Sequence, residues 1–431
     1  MAPAVRPFAA RPLCLAPFFR PRPRHLHLPP SPPPIPPSLP PPPSPAVPSG
    51  PYDTDRLALL TPQQALADAA AFITAMRRER NCTGGPGSGP RCPVITVGGS
   101  YPGWLSAMMR LRYPAVVDMA WAASAPMGFY GQAVGEFEYY ERVTASAARA
   151  DARCPVAVRA ALGATLGAPG VAKAAIVAGA NLCAPLPAYL EAGDAQLLVD
   201  EVAMVFQYSW ADLNMGNYPG NYAPNQPTRL ELACAGFVGG SAGWPAIAGF
   251  LGSYGAGAGG GAGGCYNLSQ QLPSGRGATI SSGDWSGVGT GNDGSSWDAE
   301  TCSYLVEAIG TNGKTDMFLP RAWSLAWLEA HCRARFGVAP QPYTLRDLWG
   351  FDEATLPKIA SRIIFTNGLN DGWSVGGFLR NLSDTLLVYN MPNGAHHSDL
   401  SHSWPSDTDT PDVREVRELV AARLEEWLKT A

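Results

Sequence analysis

One stretch of seventeen residues constrains this chain more than any other: Val94-Ile95-Thr96-Val97-Gly98-Gly99-Ser100-Tyr101-Pro102-Gly103-Trp104-Leu105-Ser106-Ala107-Met108-Met109-Arg110. Val94 to Val97 are apolar or β-branched and read as a short buried strand. Two glycines permit a sharp turn. Trp104, Leu105, Met108 and Leu111 then share one face of a helix. A strand, a glycine turn carrying a serine, and a helix in immediate succession are the layout of a nucleophile elbow. Such a turn lifts a Ser hydroxyl above the sheet and leaves the next backbone N–H able to bind an oxyanion. The usual pattern is G-x-S-x-G. Gly98 and Ser100 fit it, but Pro102 stands where the second glycine belongs, and Gly103 follows. Many Gly-Ser turns only join a strand to a helix, so the rest of the chain has to decide.

At 431 residues the chain is long enough for one large domain with an insertion, or for two domains. Its net charge of -4 supplies no basic field for nucleic acid. Nine cysteines form no Cys-X-X-Cys pair, which argues against a zinc ribbon or a thioredoxin motif. With Cys14 set aside in the leader, Cys82, Cys92, Cys154, Cys183, Cys234, Cys265, Cys302 and Cys332 are scattered and even in number, as disulfides in an oxidising compartment would be. Asn81, Asn267 and Asn381 each open an N-glycosylation triplet. Together these features favour a secretory or lysosomal route, so the expected localisation is lysosomal, vacuolar or secreted.

Residues 1–50 hold 19 of the 43 prolines, five arginines and no acid, a composition that builds no core and reads as a disordered, polyproline-like leader. An Arg-rich transit peptide, a poor signal sequence over Pro12 to Phe19, and a misplaced start of the coding sequence are the alternatives for it. Thr61-Pro62-Gln63-Gln64 then opens a helix, with Thr61 as cap and Gln64 placed to complete a capping box. Asn81 to Pro90 is a loop that a Cys82–Cys92 bridge would close. Ala115 to Trp121 reads as the strand after the elbow helix. Between about 128 and 345, helical stretches such as Val156–Leu166 and Leu197–Phe206 alternate with Gly-, Asn- and Pro-rich segments. No charge occurs from Leu232 to Gly275, but so much glycine, with Pro245, lacks the solidly apolar run of a membrane span. An α/β rhythm returns with strands at 362–366 and 385–389, and a final helix follows Thr410-Pro411 with Val413, Val416, Val420, Leu424 and Trp427 on one face.

Three loops now fall into order. Ser100 follows one strand, Asp371 follows the strand at 362–366, and His396 follows the strand at 385–389. An α/β-hydrolase places its triad in the order Ser, acid, His, each after a strand. The chemistry needs all three. A Ser hydroxyl is a weak nucleophile until a His takes its proton, and the carboxylate fixes the His tautomer and stabilises the imidazolium. The N–H of Tyr101 is the expected oxyanion donor. Asp371 alone would read as an Asx-turn residue, with Asn370 and Asp384 as competitors. His396, His397, His402 and Asp399 could instead form a metal cluster, but adjacent His pairs bind one ion poorly and no carboxylate–His motif supports it. No metal or cofactor is expected.

The chain resembles the serine peptidases that include lysosomal Pro-X carboxypeptidase, dipeptidyl peptidase II and thymus-specific serine protease. The matching pieces are Leu60 to Asp68, Gly98-Gly99-Ser100-Tyr101, Ala122-Ala123-Ser124-Ala125-Pro126, Thr315-Asp316-Met317-Phe318, Asn367 to Ser374, and Gly394-Ala395-His396-His397-Ser398-Asp399-Leu400. The resemblance implies an α/β-hydrolase fold with an inserted, mostly helical cap. Residues 1–50 would then be the leader, 51–127 the nucleophile half of the core, 128–345 the cap, and 346–431 the Asp–His half. It implies an exopeptidase acting beside proline, as a carboxypeptidase or a dipeptidyl peptidase, on a peptide substrate, with a homodimer as the candidate assembly. The catalytic positions fall on Ser100, Asp371 and His396. Trp373, with Trp104, would line the substrate site. The cap bridges would be Cys154–Cys234, Cys183–Cys265 and Cys302–Cys332, with Cys82–Cys92 a local extra. The family usually has Gly at the place of Pro102 and Pro at the place of Gly372. It also carries strands ahead of the first helix, and here these are expected to be missing from the sheet. A non-catalytic member and a lipase- or esterase-like hydrolase on the same fold are the other readings.

Overall fold

The structure, a computed structural model, describes residues 59–167, 169–179, 195–218, 226–240, 242–254, 292–401 and 409–431. The leader and most of the Gly-rich run, with Cys14, Cys183, Cys265, Asn267 and His402, lie outside them.

In chain order the helices and strands are α1 (Pro62–Glu79), β1 (Ile95–Gly99), α2 (Tyr101–Arg112), β2 (Met119–Ala123) and α3 (Met127–Tyr130). A run of helices follows: α4 (Glu138–Ala150), α5 (Cys154–Thr165), α6 (Pro169–Gly179), α7 (Ala195–Met215), α8 (Arg229–Gly239), α9 (Trp244–Tyr254), α10 (Asn292–Thr301), α11 (Leu325–Phe336), α12 (Thr344–Trp349) and α13 (Leu356–Ile359). The chain then closes with β3 (Ile363–Gly368), β4 (Leu386–Met391) and α14 (Pro411–Leu428).

The first helix starts as its sequence dictates, with the Thr61 hydroxyl accepting the Gln64 N–H at 3.2 Å and Pro62 in the first turn. The expected capping box does not close. The Thr61 N–H already donates to the Leu59 carbonyl, and the Gln64 amide donates to Asp68 at 2.8 Å instead.

The four strands form one parallel sheet in the order β1-β2-β3-β4. Val97 pairs with Trp121, Trp121 with Ile364, and Ile364 with Leu387. Alternate side chains enter opposite layers, as the two-residue period of a strand requires. Ala120, Ala122, Ile363 and Phe365 face the larger core with Trp104, Ala107 and Met108 of α2. Met119, Ile364, Leu387 and Met391 face Val413, Val416, Val420 and Trp427 of α14. Both faces are therefore covered, the normal condition of a parallel sheet. Among the described residues β1 pairs on one side only, and Val97 is 40% exposed.

The strand read at Ala115 to Trp121 begins later, at Met119. Val116 and Val117 N–H both donate to the Tyr113 carbonyl, so the chain is still turning there. Asp118 ends that turn: its carboxylate accepts the Val94 N–H at 2.7 Å and pairs with Arg77 and Arg91, tying α1 to the foot of β1.

Between β2 and β3 the described chain is mostly helical, with one isolated antiparallel bridge between Thr311 and Arg321. Disulfides join Cys154 to Cys234 (α5 to α8) and Cys302 to Cys332, and Cys82 to Cys92 closes the loop after α1. The Cys183–Cys265 pairing lies outside the described residues. Among the described residues no single helix is long and apolar enough to cross a membrane.

Candidate active site

Ser100, between β1 and α2, has φ 63° and ψ −133°, a backbone that a residue bearing a Cβ rarely adopts. Such a conformation costs on the order of 1–3 kcal/mol and persists only where its surroundings enforce it. Here they do. The Ser100 N–H donates to the Ala123 carbonyl at 2.9 Å, and its own carbonyl accepts from Gly103 at 2.8 Å and Trp104 at 3.1 Å. A Cβ on Gly98 would lie 2.1 Å from the Pro102 carbonyl oxygen, and one on Gly103 would lie 2.6 Å from the Ala123 carbonyl oxygen. The turn thus needs glycine at 98 and 103, not at 102. Pro102 occupies the first turn of α2, where a backbone N–H has no intrahelical acceptor to lose. For the same reason the Tyr101 N–H is open to an acceptor at the positive end of the helix.

Asp371 lies just past β3 and is fully buried. One carboxylate oxygen accepts the Trp373 N–H at 3.1 Å, and the other accepts from His396 Nδ1 at 2.5 Å. Its neighbours are clamped by helices from the long insertion. Asn214 of α7 donates to the Asn370 carbonyl at 2.5 Å and accepts the Gly372 N–H at 2.6 Å. Ser146 of α4 also donates to the Asn370 carbonyl, at 2.6 Å. The two competitors lack this setting: Asn370 donates to the Asn393 carbonyl, and Asp384 is exposed in the turn before β4.

His396, 6% exposed, follows β4. Its N–H donates to the Met215 carbonyl at 3.2 Å, and its carbonyl accepts the Tyr218 hydroxyl at 2.6 Å. With Nδ1 committed to Asp371, the ring offers Nε2 to a hydroxyl. His397 brings this loop against the elbow. A Cβ on Gly99 would sit 2.8 Å from the His397 ring, and the His397 N–H donates to the Ser124 hydroxyl at 2.9 Å. Burial, reinforced by the neighbouring His396, pulls the His397 imidazole down to about 4.

Asp399 points elsewhere, accepting from Thr366 Oγ1 at 2.5 Å and Trp121 Nε1 at 3.1 Å, and burial raises its carboxyl. Asp399 thus faces Thr366 and Trp121 while His396 faces Asp371, and His402, the fourth residue of the possible metal cluster, lies outside the described residues. The one described group with metal-like spacing is Asp298, Cys302 and His331, where the Cys302 sulfur is in a disulfide and His331 Nε2 contacts Asp298 at 2.9 Å.

Trp373 is half-buried beside the pair, its ring centroid 5.0 Å from Phe129, 4.9 Å from Tyr139 and 6.5 Å from His396. Trp104 departs from expectation. It is 0% exposed, stacked on Trp349 at 5.7 Å and edge-on to Phe351 and Tyr130, so it packs as a core residue beneath the elbow. Asn81 and Asn381 are exposed. Sequence reasoning missed Asn214, Tyr218 and the role of Ser124. Ser124 ends a strand with φ 46°, but nothing in the sequence ties Asn214 to a loop 156 residues away.

A parallel sheet between helices, with a positive-φ serine at one strand end and a buried Asp–His pair after two others, belongs to the α/β-hydrolase-like folds, and the protein is a serine-type hydrolase. More narrowly, it belongs to the serine carboxypeptidase S28 family, whose model matches residues 45–420. Lysosomal Pro-X carboxypeptidase of Homo sapiens is 30% identical over 388 residues, which cover 88% of this chain and 70% of that protein. Prolyl carboxy peptidase like protein 5 of Caenorhabditis elegans is 28% identical over 408 residues, 88% of this chain and 73% of that protein. Thymus-specific serine protease of Mus musculus is 35% identical over 100 residues, 23% of this chain and 18% of that protein.

Proposed function

We propose that this chain is a serine exopeptidase that hydrolyses peptide bonds next to proline, with Ser100 as nucleophile, His396 as general base and acid, and Asp371 as the residue that orients it. In this reading Ser100 Oγ attacks the scissile carbonyl while His396 Nε2 takes its proton, and Asp371 stabilises the imidazolium. The Tyr101 N–H donates to the oxyanion at the N-terminus of α2. His396 then returns the proton to the leaving amine, and water repeats the sequence on the acyl-enzyme. The apolar surface of Phe129, Tyr139 and Trp373 is the candidate seat of the prolyl ring. Residues 128–345 act as a helical cap on a core formed by 51–127 and 346–431. The disulfides and exposed sequons, with the lysosomal relatives, support a lysosomal or secreted site of action.

The observation that carries this reading is the buried His396–Asp371 pair, whose next residue, His397, packs against Gly99 one residue before the positive-φ Ser100. A fluorophosphonate probe should label the protein, and Ser100→Ala should abolish that labelling without loss of the fold. Undiminished labelling of the variant would show that the nucleophile is another residue.

A further inference from the structure

The last turn of α7 reaches both loops of the proposed catalytic pair. Asn214, fully buried, lies one residue before the end of that helix. Its side-chain amide donates to the Asn370 carbonyl at 2.5 Å and accepts the Gly372 N–H at 2.6 Å. Those two groups belong to the peptide units on either side of Asp371. Each unit is planar, so the direction in which the Asp371 side chain leaves the backbone depends on only two dihedrals, here φ −80° and ψ 136°. Holding the carbonyl before Asp371 and the N–H after it fixes both. A side-chain amide can do this because it donates at one corner and accepts at the other, whereas a carboxylate only accepts.

The next residue serves the histidine. Met215 ends α7, so its carbonyl has no intrahelical donor, and it accepts the His396 N–H at 3.2 Å. Its Sδ accepts from Trp373 Nε1 at 3.1 Å. Tyr218, just beyond the helix, donates to the His396 carbonyl at 2.6 Å. One helix end therefore touches the acid loop, the histidine loop and the aromatic surface beside them.

We propose, on the Ser100–Asp371–His396 reading above, that Asn214 is a positioning residue for the reaction: it locks Asp371 so that the carboxylate meets His396 Nδ1, while the end of α7 sets the two loops in register. The helical insertion thereby takes part in the chemical step. A misplacement of about 1 Å in such a constellation costs ~10²-fold in rate. Loosening Asp371 misorients the imidazole and leaves the peptide-binding surface in place, so the loss falls on kcat.

The test compares full-length wild type with Asn214→Ala and Ser209→Ala on a proline-containing peptide. Ser209 is buried on the same helix and donates to the Val205 carbonyl at 2.8 Å, so it controls for a mere loosening of α7. Asn214→Ala should lose ~10²-fold in kcat with KM within about threefold of wild type. Its fluorophosphonate labelling rate should fall in step, and the low-field proton NMR signal of the His396 Nδ1–H should move or vanish. Ser209→Ala should match wild type in all three. A folded Asn214→Ala protein with wild-type kcat, or with a loss confined to KM, would overturn the proposal, and so would equal kcat losses in the two variants. Where Asn214→Ala does not fold, Asn214→Leu, which keeps the branched shape and removes both hydrogen bonds, carries the same comparison. Failure of both to fold would assign Asn214 to stability alone and overturn the proposal. Absence of labelling in wild type would instead bring down the Ser100 reading beneath it.

Discussion

Replacing Asp371 by Asn tests the site with a nearly isosteric change. The carboxylate accepts two N–H groups, one from Trp373 and one from His396 Nδ1. An amide has one acceptor oxygen, and the backbone N–H of Trp373 cannot change its role. The amide NH2 therefore turns toward His396 and donates to Nδ1, which forces the ring proton onto Nε2. A protonated Nε2 cannot accept from Ser100. The expected loss in kcat is ~10⁴-fold, or about 5.4 kcal/mol of barrier at 1.36 kcal/mol per factor of ten. Losing one charge-assisted hydrogen bond in a fully buried setting should cost roughly 1.5–3 kcal/mol of stability. Turnover of a proline-containing peptide, fluorophosphonate labelling rate and thermal unfolding should be measured together, with the exposed Asp384→Asn as a control expected near wild type. A folded Asp371→Asn enzyme within tenfold of wild-type kcat would refute the proposed role of the Asp371–His396 pair.

Two further outcomes follow from other parts of the structure. The Cys154–Cys234 bridge spans 80 residues and Cys302–Cys332 spans 30, so chain-entropy loss in the unfolded state predicts about 4.5 and about 3.6 kcal/mol of stabilisation; denaturant unfolding of the two double Cys→Ser variants should rank them in that order. Burial pulls the His397 imidazole from 6.5 down to about 4, so its contribution is complete above 6.5 and is lost as pH falls toward 4, up to about 3 kcal/mol for the shift of 6.5 − 4. A His397→Asn variant should show a shallower fall in thermal midpoint across that window, and an unchanged slope would mean another group sets it.

Much of the fold was legible because its signals are local. The Val94–Val97 strand, the Thr61-Pro62 helix start and the apolar stripe of α14 each come from neighbouring residues obeying local rules. The strand at 115–121 was misplaced because apolar Val116 and Val117 look like strand, whereas two N–H groups turn back onto Tyr113. An aromatic on an elbow helix fits either side by sequence; packing of Trp104 against Trp349 and Phe351, more than 240 residues away, decides for the core.

The order Ser100, Asp371, His396 on loops after strands was fixed by the sequence alone, because each loop follows a recognisable strand and a parallel sheet sends all those strand ends to one edge. The sequence also fixed the need for small residues around Ser100. Tertiary structure decided the rest. It set Asn214 around Asp371, seated His397 on Gly99, gave Pro102 a position where its missing N–H is harmless, and placed Trp297 against Tyr101. These contacts join residues dozens to hundreds of positions apart, and burial and charge act through space, so no local pattern could have carried them.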